Sequence, residues 1–233
     1  MNYSDVIELL EEHQNERGIE HWNKLNPKKQ SLKSFGIGLT MLRKLAKKVG
    51  RNHELSKELW KSELYDMKII SLLIDDPKLM TMEQAENQVD QLHQGHLAHV
   101  FSSCGAPLAK TSFMVTLLMD WIQSNNTIRK RCGYGLLYEV SKSTNKNAPK
   151  NVFFLDRIAQ ILNTFNEEKN IIKAAMAGAL MGIGKRNIEL NSAALKVAKK
   201  MGPIAIDSGV TKCEPFDVAK HLTSDYIKNK LNI

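Results

Sequence analysis

WIQSNNTIRKRCGYGLLYEV, residues 121–140, and LNTFNEEKNIIKAAMAGALMGIGKRN, residues 162–187, decide the fold that we predict for this chain. In each stretch an apolar helix is followed by a short polar break and then by a second helix, which opens with lysine or arginine and is rich in small residues. Aligned on Trp121 and Leu162, the stretches repeat at 41 residues, the period at which antiparallel helix pairs stack into a solenoid. We therefore predict an all-α solenoid whose concave inner surface carries positive charge.

Length and composition agree with a helical, basic protein. The 233 residues contain 33 Lys+Arg against 25 Asp+Glu, which gives a formal net charge of +8 and a pI near 9.3. A basic excess of this kind favours polyanionic partners. Because no change in composition marks a boundary, we predict a single repeat domain over 1–233, with N-terminal capping helices in 1–34.

Membrane, secretory and metal-binding classes are not indicated. The longest apolar runs, such as 69–74, are too short to span a bilayer, and the N-terminus is acidic and polar, unlike a signal peptide. Cys104, Cys132 and Cys213 are an odd number at wide spacings, which is typical of reduced thiols. We predict a cytoplasmic protein without membrane contact, metal or cofactor.

Apolar residues recur at intervals of three and four, as on the buried face of a helix, and six prolines punctuate this pattern. Residues 75–77 and 141–150 are predicted loops. The predicted helices cover 4–24, 40–49, 53–61, 64–74, 82–103, 109–123, 127–140, 152–165, 168–183, 189–200 and 216–231.

The predicted inner helices are unusually rich in glycine and alanine. Gly133 and Gly135 lie in the middle of the first one, where each costs about 1 kcal/mol relative to alanine. Either a neighbouring helix packs closely against them, or the backbone of a ligand approaches this surface. The second inner helix has the same character through Ala174, Ala175, Ala177, Gly178, Ala179, Gly182 and Gly184.

Basic side chains lie at both ends of these helices. A smooth groove with cations at its rims suits a phosphate backbone, because affinity there comes from charge and counterion release. The alternative is that these residues simply solvate helix ends, where the helix dipole favours a lysine near the C-terminus. The predicted DNA-binding residues are Arg129, Lys130, Arg131, Lys173, Lys185 and Arg186.

Residues 35–77 resemble the opening repeats of the AlkD-like DNA alkylation repair proteins, through a G-x-x-x-x-x-LR motif, an LW pair and a closing DDP. The likeness continues through 121–138, through 179–187 with its IGKRN, and through the tail 203–217. This resemblance implies an α-solenoid of HEAT-like (ARM-type) repeats, which cradles double-stranded DNA in a basic concave groove.

The resemblance also implies a reaction that this chain is poorly equipped to perform. Active members of the family excise positively charged N-alkylated purines and need a carboxylate and two tryptophans at the lesion. The carboxylate stabilises the oxocarbenium-like sugar that forms when the base leaves, and aromatic faces stabilise the same cation. At the matching positions this chain has Gly95 and Gly178 for the tryptophans and His99 for the carboxylate, whereas Arg131 retains the arginine of the cleft.

A neutral histidine supplies no negative charge to a sugar cation, and a protonated histidine repels it. We therefore predict no catalytic residue. The function that we predict is binding of duplex, damaged or branched DNA without base excision. One alternative is an active alkylpurine DNA glycosylase, and another is a HEAT-repeat scaffold that binds a protein partner.

The spacing of three histidines, His93, His96 and His99, does not favour a metal site. His93, His96 and His99 are spaced by three residues, so on a regular helix the first and last point about 120° apart. They cannot easily converge on one ion unless Gly95 breaks the helix, and a solvated or groove-facing cluster is the preferred interpretation.

Overall fold

The computed structural model describes residues 1–28, 31–103, 105–146, 148–205 and 214–233. Over these ranges the chain is almost entirely helical, with only two isolated β-bridges, which confirms the predicted all-α class. Two 3₁₀ helices cover Pro107–Lys110 and Phe165–Glu167. The α-helices are α1 Tyr3–Glu11, α2 Glu16–Leu25, α3 Leu39–Val49, α4 His53–Trp60, α5 Tyr65–Ile74, α6 Met82–Val89, α7 Leu97–Ser102, α8 Met114–Trp121, α9 Thr127–Lys142, α10 Asn151–Thr164, α11 Asn170–Ile183, α12 Ile188–Met201, α13 Val218–Leu222 and α14 Asp225–Leu231.

Four of the predicted helices were too long. Residues 4–24 form α1 and α2, because Asn15 starts a new helix: its side chain accepts a hydrogen bond from the Gly18 N–H at 2.9 Å. Residues 216–231 likewise divide into α13 and α14, and 109–123 divide between a 3₁₀ turn and α8. The remaining predicted helices differ from the observed bounds by one or two residues.

The fourth overlong prediction was 82–103, which forms α6 and α7. The break includes Gly95, whose φ of +53° lies in the left-handed region. The short α7 begins only after this glycine, so the three histidines do not share a regular helix.

The chain divides into two compact units, Met1–Met114 and Val115–Ile233. In the first unit α4 packs against α5, which also contacts α3 and α7. In the second unit α9 packs against α11, α10 packs against α12, and α13 contacts both α11 and α12. The α9–α11 and α10–α12 contacts each join alternate helices, as in stacked helix pairs. The single domain over 1–233 and the capping role of 1–34 stay predictions.

A buried carboxylate fixes the connection that leads into α3. Asp66 on α5 is fully buried and accepts hydrogen bonds from Ser34 Oγ and Phe35 N, both at 2.8 Å, and from Ile37 N at 3.3 Å. Burial raises the pKa of this carboxyl above its ordinary value, against the effect of these bonds. The N-terminal segment is thereby tied to the core of its own unit.

Candidate nucleic-acid interface

The two predicted inner helices, α9 and α11, lie side by side and run in the same direction. Near their N-terminal ends, Lys169 Nζ lies 3.4 Å from Thr127 Oγ1. Near their C-terminal ends, the Arg186 guanidinium donates a hydrogen bond to the Ser143 carbonyl oxygen at 2.9 Å. The basic first turns of both helices therefore meet at one place in the second unit.

Two of the predicted DNA-binding cations near the N-terminal ends of α9 and α11, Arg131 and Lys173, have no carboxylate partner in the described ranges. Arg131 is half-exposed and makes no ion pair or hydrogen bond with the part of the chain that the structure describes. Lys173 is also half-exposed, and its Nζ donates only to the backbone oxygen of Asn166 at 3.2 Å. Neither charge is neutralised by a carboxylate within the described ranges.

Lys130, on the same turn as Arg131, is already paired. Its Nζ lies 2.6 Å from Glu168 Oε1, and the two side chains are only 17% and 14% exposed. A partly buried pair of this kind is screened less than a surface pair. The ion pair links the start of α9 to the residues that precede α11 and neutralises one of the predicted DNA-binding cations.

Arg186 is engaged inside the protein as well. Its guanidinium donates hydrogen bonds to the carbonyl oxygens of Ser141 and Ser143, at the C-terminal end of α9, and lies 4.4 Å from the ring centre of Phe154. These carbonyls have no partner within their own helix, so the arginine supplies one. The geometry gives Arg186 the role of a C-terminal cap that connects α9 to the chain after α11.

Lys185, the neighbour of Arg186, remains half-exposed. Burial, and then repulsion from Lys230, lowers the pKa of its ammonium group. Lys230 itself donates a hydrogen bond to the Lys185 carbonyl oxygen at 2.9 Å. Two ammonium groups therefore lie close together at this end of the second unit.

The glycines of α9 and α11 differ in what surrounds them. A Cβ added to Gly133 would lie 2.8 Å from the backbone nitrogen of Ile122, so close packing explains this glycine. A Cβ on Gly182 would collide with the side chains of Ser141 and Tyr138. Around Gly178 nothing lies within 4 Å of such a Cβ, and the residue is half-exposed. Packing therefore explains two of these glycines and leaves Gly178 unexplained.

We expect the Gly178→Ala variant to be more stable than the wild type by about 0.5–1 kcal/mol, because alanine favours the helix and meets open space here. The thermal midpoint should rise by roughly 1–4 °C. Gly133→Ala is the matched control on α9, and it should lower the midpoint because its Cβ meets backbone. A lower midpoint for Gly178→Ala would show that α11 does need a glycine at this position.

The chain fills the space next to Gly95 with aromatic rings from other elements. A Cβ on this glycine would lie 2.7 Å from the Tyr65 ring and 2.9 Å from the Trp22 ring. These two rings stack with centroids 4.2 Å apart, and Trp22 Nε1 donates a hydrogen bond to the Leu32 oxygen at 2.7 Å. Sequence reasoning missed Trp22; its signal was a lone tryptophan in a helix, α2, that is otherwise largely polar.

His99, the predicted counterpart of the family carboxylate, is half-exposed on α7, and its ring centroid lies 6.5 Å from that of His96. Across the described ranges no group of three His, Cys, Asp or Glu residues is placed to hold a metal ion. Cys132 is buried in α9, whereas Cys104 and Cys213 lie outside the described residues. In the same ranges, no helix has the length and apolar character needed to cross a bilayer.

Comparison with known proteins gives consistent results. The family described as "DNA alkylation repair enzyme" matches residues 6–212. The chain is 24% identical over 204 residues to the uncharacterized protein Lin0241 of Listeria innocua, covering 87% of each chain. It is 25% identical over 194 residues to the uncharacterized protein Lmo0209 of Listeria monocytogenes, covering 82% of this chain and 83% of the other.

A solved structure with 19% sequence identity superposes with a TM-score of 0.80, covering 100% of this chain and 97% of the other. That protein is described as a new family of proteins related to the HEAT-like repeat DNA glycosylases, with affinity for branched DNA structures. The match confirms the HEAT-like repeat fold predicted from the sequence.

Proposed function

Because this chain belongs to the DNA alkylation repair enzyme family, we propose that it binds double-stranded DNA through the adjoining first turns of α9 and α11. It recognises damaged or branched duplexes and does not excise bases. The observation that carries this proposal is the pair of cations without a carboxylate partner in the described ranges, Arg131 and Lys173, at helix ends that lie together.

A phosphate backbone matches this site in charge and in shape. The N-terminal end of a helix carries partial positive charge, and the side chain of Lys169, which precedes α11, makes no capping hydrogen bond to its first turn. Ala174, Ala175 and Gly178 are half-exposed on the same helix, so few side-chain atoms keep a ligand away from its backbone. We propose that Arg131 and Lys173 neutralise phosphates while this bare helix surface admits the sugar–phosphate chain.

The other four predicted cations fit this proposal unequally. Arg129 and Lys185 are half-exposed and extend the basic surface at either end. Binding by Lys130 would require it to give up or share Glu168, and binding by Arg186 would release the end of α9. We therefore assign the larger share of DNA affinity to Arg131 and Lys173.

The proposal excludes base excision because the groups that would stabilise a sugar cation are missing. His99 provides no carboxylate, Gly178 provides no ring, and the φ of +53° at Gly95 disfavours any side chain there. The absence of a side chain at Gly178, where an added Cβ would meet open space, also leaves room on α11 for a bent or branched duplex. The related protein described as binding branched DNA supports this preference.

Fluorescence anisotropy with plain, abasic and four-way-branched DNA, measured across a salt series, tests the proposal. We expect binding that weakens steeply with salt, is strongest for branched DNA, and releases no base from alkylated DNA. Base release would instead favour the glycosylase alternative. An absence of binding at low salt would contradict the proposal and leave the protein-binding scaffold, and the cytoplasmic location stays a prediction.

A further inference from the structure

The helix α3, in the first unit, has one face that is almost entirely basic. Lys44, Lys47 and Lys48 are exposed and Arg43 is half-exposed, whereas the opposite face buries Leu42, Leu45 and Ala46. At about 100° per residue the four cations span an arc of about 140°. We call these four residues the α3 basic face.

Within the part of the chain that the structure describes, no neighbour neutralises the α3 basic face. Its four side chains make no ion pair or hydrogen bond with any residue in the described ranges, and α3 contains no acidic residue. Two pairs, Arg43–Lys47 and Lys44–Lys48, are like charges four residues apart, each of which destabilises a helix by about 0.2–0.5 kcal/mol. Uncompensated repulsion on a folded helix indicates an anionic partner that relieves it.

We propose that the α3 basic face is a second binding surface for the phosphate backbone of DNA, separate from the α9 and α11 site. This inference rests on the proposed function and adds a contact in the other unit. Arg43 and Lys48 are about 7.5 Å apart along the helix, which exceeds the axial rise of roughly 3.4 Å between successive phosphates of one strand. The four cations can therefore contact two consecutive phosphates.

The composition of this face favours a nucleic acid over other anionic partners. A protein interface is enriched in aromatic residues and depleted of lysine at its centre, and the exposed side of α3 has no aromatic residue. A membrane-bound helix inserts its apolar side into lipid, but Leu42 and Leu45 are buried in the protein, with exposures of 0% and 4%. What remains for binding is charge alone, which suits a polyphosphate.

Charge-neutralising substitutions test this site. The full-length variant Lys44→Gln/Lys47→Gln/Lys48→Gln should bind duplex DNA about tenfold more weakly near 0.1 M salt, with a log–log salt slope lower by about 1 to 2, since each lost phosphate contact contributes about 0.9. Its thermal midpoint should stay the same or rise, because helix repulsion is reduced.

The matched control removes the same charge from another helix. Lys196, Lys199 and Lys200 on α12 are exposed and make no ion pair or hydrogen bond within the described ranges, so Lys196→Gln/Lys199→Gln/Lys200→Gln should change affinity less than threefold. An unchanged salt slope for the α3 variant, or equal losses for both variants, would overturn the α3 site and leave the proposed function standing. If the wild type bound no DNA, both the α3 site and the proposed function would be wrong. If the α3 variant kept its affinity for DNA and lost only binding to an acidic protein or to anionic vesicles, the α3 site for DNA would be contradicted.

Discussion

Replacing Gly95 with tryptophan is expected to destabilise the protein by about 2–5 kcal/mol rather than restore a base-excision site. A residue with a side chain costs about 1–2 kcal/mol in the left-handed conformation found here, with φ of +53°. The new side chain would also collide with Tyr65, which is buried, and with the Trp22 ring stacked on it. Overpacking of this kind adds about 1–3 kcal/mol.

Thermal unfolding measures the effect directly, and a loss of about 3 kcal/mol corresponds to a midpoint lower by roughly 6–12 °C. The pair Gly95→Ala and Gly105→Ala separates the two causes. Gly105 has φ of +77° and nothing within 4 Å of an added Cβ, so its alanine variant reports backbone strain without a collision. Gly95→Ala should be clearly less stable than Gly105→Ala, and equal midpoints would show that the Trp22 and Tyr65 rings move aside at little cost.

The same contacts leave no space at position 95 for the tryptophan that the family resemblance predicts there. Trp22 reaches the site from α2 and is held there by its hydrogen bond to Leu32, and Leu32 N donates to Gln94 Oε1 at 2.9 Å. His96 N in turn donates to Tyr65 Oη at 3.1 Å. The residues on both sides of Gly95 are therefore fixed by the N-terminal segment and by α5, so a single substitution does not restore the family arrangement.

The stacking of α9 on α11 could be predicted because its signals are local. A polar break, a basic first turn and a repeated apolar pattern are all visible in one stretch of sequence, and the Thr127–Lys169 contact joins residues 42 positions apart, close to the predicted period of 41. The break between α6 and α7 was not predicted, because the apolar spacing of 82–103 is that of one helix. The rings of Trp22 and Tyr65 approach Gly95 only in the folded chain, so they leave no local signal in the sequence.

The candidate site shows the same division between local and long-range information. Charge and periodicity led to the prediction that Arg131 and Lys173 bind DNA, and this stays a prediction. They did not reveal that Glu168 pairs with Lys130, or that Arg186 caps the end of α9, because these contacts join residues 38 and 43 to 45 positions apart. In the sequence, Gly178 cannot be distinguished from the other small residues of α11, such as Gly182. The structure shows that Gly182 is packed against side chains whereas the space beside Gly178 is open.

Reversing the two available charges, as Arg131→Glu/Lys173→Glu, is expected to weaken duplex binding about a hundredfold near 0.1 M salt. Two lost phosphate contacts lower the log–log salt slope by about 1.8, and the introduced carboxylates add repulsion from the phosphates. Because phosphate contacts carry no base identity, the loss should be similar for every duplex sequence. Anisotropy titrations on two unrelated duplexes across a salt series measure both quantities.

Lys196→Glu/Lys199→Glu, on the exposed surface of α12, makes the same change in net charge and serves as the control. If affinity depended only on overall charge, both variants would lose the same amount, which would contradict a localised site on α9 and α11. Both variants should keep the stability of the wild type, so a difference in their DNA affinities would not reflect unfolding. Arg131 and Lys173 are half-exposed and form no ion pair within the described ranges. Surface changes of this kind usually alter stability by less than about 0.5 kcal/mol, so a hundredfold loss with an unchanged thermal midpoint would locate the phosphate contacts at these two residues.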